Sequence, residues 1–129
     1  MTTTRAEITI NRSPSDVWDV VGDPHSIIDW VPGVESCEIV GNHRTAVLRG
    51  NELTERFHVD HAERRVTYSI LGRVTSHQGS VQVIAKGDDT SVIYAHEMEP
   101  AELAPLFQSS SEDALAQLKI YMESGRAQR

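Results

Sequence analysis

TSVIYAHEMEPAELAPLFQSSSEDALAQLKIYME, residues Thr90–Glu123, changes its period part-way and thereby decides the fold. Val92, Tyr94, His96 and Met98 recur at every second position, the signature of a strand with one buried face. From Ala101 to about Glu123 the spacing becomes helical, with Leu103, Leu106, Phe107, Ala114, Leu115, Leu118 and Met122 on one side. One long C-terminal helix is predicted. Pro105 suits only its first turn, and Ser109 followed three residues later by Glu112 resembles a capping box within it, so the spacing leaves open a kink or a late start.

Upstream of this segment, Val34 to about Met98 reads as a run of strands punctuated by Gly41-Asn42, Gly50-Asn51, Asp60 to Arg64, Gly72 and Gly87-Asp88-Asp89. Such spacing predicts a meander of hairpins. Ala6 to Asn11 alternates as well, with Ile8 and Ile10 on one face. Ser13-Pro14-Ser15-Asp16 then supplies a cap, a preset φ and an acidic first turn for a short helix carrying Val17, Trp18, Val20 and Val21. Gly22 closes that helix, and Asp23-Pro24 opens a second short one that bears Ile27, Ile28 and Trp30. The order is strand, two short helices, six strands and a long helix, an α+β plan without internal repeat or linker.

Composition narrows what such a chain does. Its 129 residues suit one domain, residues 1–129, because a second core would bury too little surface to offset the entropy of ordering it. The net charge is −7, from 19 acidic and 12 basic side chains, and no basic cluster interrupts it. Nucleic acid and anionic membrane surfaces are therefore not expected partners. Cys37 is the only cysteine, which rules out an intrachain disulfide and a thiolate metal cage and favours a cytoplasmic location. Met1 to Arg5 lacks the apolar core of a leader, and no stretch is long enough for membrane insertion.

Particular residues carry a family resemblance: Val17-Trp18 after Ser13-Pro14, Trp30, Glu55-Arg56-Phe57, Asp60, Arg65, Tyr68-Ser69-Ile70 and Thr90-Ser91-Val92. On these the chain resembles the START-like, Bet v 1-like (SRPBCC) superfamily over nearly its whole length, and within it the polyketide cyclase/dehydrase and lipid-transport family. The resemblance implies a helix-grip fold, a seven-stranded curved antiparallel sheet with two short helices and one long C-terminal helix, enclosing a cavity for a small hydrophobic or aromatic, polyketide-like molecule. It also implies non-covalent acid/base catalysis if the chain is an enzyme. The overall plan is similar to that of aromatase/cyclases, for whose arginine only Arg44 offers an inward counterpart on the central strands.

In such a fold, period-two phasing tells which polar side chains point inward. Leu53, Phe57 and Val59 set the inward phase of the fourth strand and take Glu55 with them. A turn at Gly50-Asn51 would put Ala46 opposite Glu55 and Arg44 diagonal to it. Glu55 is then either half of a structural ion pair with Arg44 or a general acid/base. His77, Gly79, Val81 and Val83 share one phase of the sixth strand. A turn at Gly87 to Asp89 would set His96 opposite Val81 and His77 opposite Pro100, ~14 Å apart at about 3.4 Å per residue. On that register the histidines cannot share a metal, and His58, Asp60 and His61 fall on the outward phase and a turn, so neither metal nor cofactor is expected.

Catalytic candidates are Glu55, His96 and His77, with a core histidine as the plain alternative for His96. Ligand-contacting candidates are Trp30 at the cavity mouth, Arg44, Phe57, Tyr68, Gly79, Tyr94, Met98 and, on the helix, Phe107, Ser110 and Ala114. Leu103, Ser111 and Leu118 join the helix wall, Tyr68 should neighbour His77 and Phe57, and Gly79 should leave room in the pocket. No phosphate loop, nucleophile elbow or catalytic cysteine signature is present, and lone serines such as Ser80 or Ser110 are too common to count as nucleophiles without a base in reach. The expected partner is a small apolar or aromatic molecule, a homodimer being the macromolecular option. A non-catalytic lipid or metabolite carrier or sensor and a protein-interaction module are the rival functions.

Overall fold

The computed structural model describes residues 2–72 and 76–124; Met1, the first residue of the stretch read as leaderless, lies outside them. Seven strands form one antiparallel sheet: β1 (Thr2–Ile10), β2 (Val34–Val40), β3 (His43–Leu48), β4 (Asn51–Asp60), β5 (Arg65–Ile70), β6 (Ser76–Lys86) and β7 (Asp89–Glu99). Their spatial order is β1-β7-β6-β5-β4-β3-β2. Strands two to seven thus meander, and β1 returns to pair with the last strand. Between β1 and β2 lie α1 (Pro14–Val21), a 3₁₀ turn (Pro24–Ser26) and α2 (Ile27–Trp30). The Ser13 side chain caps α1 by accepting from the Asp16 N–H at 3.1 Å, and Asp23 does the same for the His25 N–H at 3.0 Å.

The long helix α3 (Ala104–Glu123) follows a 3₁₀ turn over Ala101–Leu103 and runs without a break. Pro105 sits in its first turn, where the missing N–H costs nothing. Glu112 accepts from the Gln108 side chain at 2.8 Å instead of capping Ser109, so the capping-box pattern is a surface pair within a continuous helix.

α3 is bound to β1 at three heights. Gln108 bonds the Arg5 backbone, Lys119 donates to the Thr9 carbonyl at 2.7 Å, and Arg12, just beyond the strand, donates to the Met122 carbonyl at 2.7 Å. Beneath its C-terminal half, Leu115, Leu118 and Met122 join Ile10, Val17, Val83 and Val92 in a core with almost no exposed surface. Each such aliphatic side chain contributes roughly 1.5–3 kcal/mol by leaving water. Further toward its N-terminus α3 turns the small side chains of Ser110, Ser111 and Ala114, beside Phe107, toward a hollow over the sheet.

Two hairpin registers differ from the sequence expectation by two residues. Arg49-Gly50 forms the β3–β4 loop, with Leu48 paired to Asn51 and φ values of 49° and 83°, the positive pair that suits a twisted two-residue turn. Arg44 is therefore directly opposite Glu55, and Ala46 faces Leu53. Gly87-Asp88 likewise forms the β6–β7 loop, so His96 faces Gly79 and His77 faces Met98.

Candidate functional site

A cavity of about 340 Å³ lies between the sheet and the N-terminal half of α3, where the helix carries small side chains. Its floor is Leu53, Glu55, Tyr68, Ile70, Tyr94 and His96 from β4, β5 and β7; Phe107, Ser111 and Ala114 of α3 form the roof. The mouth lies where Val31 and the Leu48–Asn51 hairpin approach Leu106 and Ser110 of the helix. Arg49 and Leu106, the latter 63% exposed, mark its rim. The lining is predominantly apolar, with a few convergent polar groups.

Glu55 is the buried charge of the floor. Arg44 Nε and one terminal nitrogen both donate to its Oε1, at 2.8 and 2.7 Å, and the guanidinium also bonds the Pro24 carbonyl at 2.9 Å. Phe57 and Tyr68 flank the guanidinium with ring centres 5.8 and 5.6 Å away. Burial pushes the Glu55 carboxyl up from its ordinary value, and Arg44 opposes that rise. No described residue bonds Oε2, so one carboxylate oxygen faces the cavity without a protein partner.

The Tyr68 and Tyr94 hydroxyls share a hydrogen bond of 2.5 Å. Burial raises both phenols, Tyr94 to about 12 and Tyr68 well beyond the ordinary tyrosine range, so both stay protonated. Tyr68 sits here because Gly79, its cross-strand partner, has no side chain: a Cβ at Gly79 would lie 2.6 Å from the Tyr68 ring. The space expected to enlarge the pocket at Gly79 is thus filled by the Tyr68 phenol.

At the inner end a chain of hydrogen bonds crosses from sheet to helix. Ile70 N–H donates to His77 Nδ1 at 3.2 Å, His77 Nε2 and His96 Nδ1 are 2.9 Å apart, His96 Nε2 and Ser111 Oγ are 3.0 Å apart, and Ser111 donates to the Phe107 carbonyl at 2.8 Å. Its direction is fixed by its ends. A backbone N–H only donates and a carbonyl only accepts, so His77 carries its proton on Nε2 and so does His96. Both imidazoles are neutral, their pKa values lowered to about 4 by burial, with His77 adding to the effect at His96. The expected separation of the two histidines is corrected by the two-residue shift of register: their ring centres are 5.1 Å apart. Among the described residues no group of three His, Cys, Asp or Glu side chains gathers closely enough to hold a metal ion.

A family model described as polyketide cyclase / dehydrase and lipid transport matches residues 1–123. The chain belongs to that family. No curated protein matches it. Among solved structures, XoxI from Bacillus cereus is similar at 28% identity with a TM-score of 0.89, over 98% of this chain and 99% of that one. A protein from Bacillus thuringiensis is similar at 24% identity and a TM-score of 0.86, over 95% of this chain and 99% of that one. The di-domain ARO/CYC BexL from the BE-7585A biosynthetic pathway reaches a TM-score of 0.84 at 17% identity, over 98% of this chain but 48% of that one, a likeness of fold.

Within this polyketide cyclase/dehydrase fold, Glu55, Tyr68, Tyr94, His96, Phe107, Ser110 and Ala114 border the cavity together. His77, Met98 and Gly79 lie behind that surface, and Arg44 meets it only through Glu55. Phe57 does not border the cavity; it flanks Arg44. Trp30 does not stand at the mouth: it is 3% exposed in the core, donates to Ser26 Oγ at 3.1 Å and meets Tyr94 edge-on. His58 and His61 are on the outer side, where His61 accepts from the Trp18 indole at 3.2 Å. Sequence reasoning missed Val31, Leu48, Arg49, Asn51, Ile70 and Leu106 as lining residues. Ile70 shares the phase of Tyr68 and was within reach of the pattern, whereas Arg49 became visible only with the loop conformation.

Proposed function

We propose that this chain binds one small, largely apolar or aromatic molecule of polyketide-like size in the cavity between sheet and α3. The observation that carries the reading is the pairing of an apolar hollow of about 340 Å³ with a Glu55 carboxylate oxygen that no described residue bonds. That volume lies within the ordinary range for small-molecule sites. Family membership favours the same reading, and so does the fold shared with an aromatase/cyclase.

An enzymatic reading is favoured by one further feature. Glu55 Oε2 is an unpartnered carboxylate oxygen of raised proton affinity, and the tyrosine pair is a nearby hydroxyl donor. Together they suit a step in which Glu55 removes a proton beside a ligand carbonyl while a phenol steadies the developing enolate oxygen, as cyclisation or dehydration requires. The histidines do not serve in this role, since all four of their ring nitrogens are engaged within the protein. A carrier would need Glu55 and the tyrosines only to orient its ligand.

Native mass spectrometry of protein isolated from the cells that make it tests the binding reading. Wild-type protein is expected to carry a single small adduct, and Ala114→Phe, which fills the roof of the cavity, is expected to lose it. Retention of the adduct by folded Ala114→Phe would place the ligand elsewhere.

A further inference from the structure

We infer that the cavity selects a neutral ring molecule that offers a hydroxyl donor and an oxygen acceptor, with Glu55 receiving the donor and the Tyr68–Tyr94 pair serving the acceptor. This rests on the reading of the cavity as a ligand site and specifies its hydrogen-bonding complement. Two buried tyrosines hold two hydroxyl protons, and the bond between them uses one. The other has no acceptor among the described residues. A buried O–H without a partner costs about 1–3 kcal/mol, which a ligand oxygen would relieve. Glu55 presents the opposite need. Two guanidinium bonds on Oε1 hold it as a carboxylate, and Oε2 can only accept.

The remaining polar groups of the floor make no demand on a ligand. His96 Nδ1 accepts from His77, its Nε2–H donates to Ser111, and Ser111 donates to Phe107. Among the described residues the floor offers an anionic ligand no free cation, because Arg44 is occupied by Glu55 and Pro24 and lies behind them, and the cavity's other arginine, Arg49, stands at the rim away from Glu55 and the tyrosine pair. A carboxylate set against Oε2 would be repelled at short range in a poorly solvated site.

Naphthalene, 2-methoxynaphthalene and 2-naphthol separate these contributions, since they add in turn no polar group, an acceptor only, and an acceptor with a donor. Binding is measured by calorimetry at pH 7. The expected order is 2-naphthol tightest, by about ten-fold or more over 2-methoxynaphthalene, with naphthalene weakest. Glu55→Gln keeps an oxygen for Arg44 and turns an amide N–H₂ toward the cavity, so its preference should shift toward 2-methoxynaphthalene. Tyr68→Phe combined with Tyr94→Phe should bring 2-methoxynaphthalene down to the naphthalene level, and circular dichroism confirms that each variant is folded. Equal affinity for all three probes in the wild-type protein would overturn the hydrogen-bonding inference while leaving the cavity reading intact. Failure of all three to bind would overturn both.

Discussion

At the scale of single residues, placement follows from what each neighbour lacks. Tyr68 occupies the volume that Gly79 leaves empty, and from there its hydroxyl reaches Tyr94. Gly79→Ala therefore has to displace a buried ring, and overpacking of this kind costs about 1–3 kcal/mol. Urea denaturation should show that loss, and tyrosine ultraviolet absorption should show the phenol pair disturbed; an unchanged midpoint would mean the ring moves freely. Period-two phasing in the sequence was enough to turn Glu55, Tyr68, Tyr94 and His96 inward, because Leu53, Val66, Val92 and Met98 share their faces. The identity of their partners was not legible. Arg44 faces Glu55, and His77 touches His96, only because each hairpin loop spans two residues. A glycine pattern marks a turn without saying which pair closes it.

At the scale of elements, β5, β6, β7 and α3 are joined by the hydrogen-bond chain from Ile70 through His77, His96 and Ser111 to Phe107. Adding a proton to either imidazole would set two hydrogens between atoms that now share one, at His77 Nδ1 against Ile70 or at His96 Nδ1 against His77. Both histidines have folded pKa values of about 4, below an unfolded value near 6.5. The unfolded chain therefore binds more protons in that interval. The stability these groups contribute is fully present above about pH 6.5 and is lost as pH falls toward 4, by at most about 3 kcal/mol for each imidazole. Glu55, whose carboxyl is raised, works in the opposite sense and stabilises on the acid side. Denaturant midpoints taken from pH 7.5 to 4 should fall, and His96→Phe, already less stable at pH 7.5, should flatten the fall. A midpoint independent of pH over that range would contradict the neutral chain. The long helix itself was legible from its spacing, and its continuity was settled by Pro105 standing in the first turn and by Glu112 pairing with Gln108.

At the scale of the whole molecule, one end of the helix–sheet interface is packed and the other is hollow. The division runs along α3: Leu115, Leu118 and Met122 close the core, while Phe107, Ser111 and Ala114 roof the cavity. Sequence pattern marked the small residues of the helix but not the mouth, which is built from the Arg49-Gly50 loop, Val31 and Leu106. Trp30 illustrates the same limit, since an aromatic residue on a short helix has the same pattern whether it caps a cavity or fills a core. A bound molecule would stabilise the fold through mass action, by about 2.7 kcal/mol at a hundred times its Kd. Entry of a ligand into the hollow is read out by methyl-detected NMR with naphthalene as the probe. Saturable shifts should appear at Val31, Leu53, Ile70 and Ala114 and stay small at Val83, Val92 and Leu118. Shifts confined to exposed methyls such as those of Val40 and Ile120, or none at all, would contradict it.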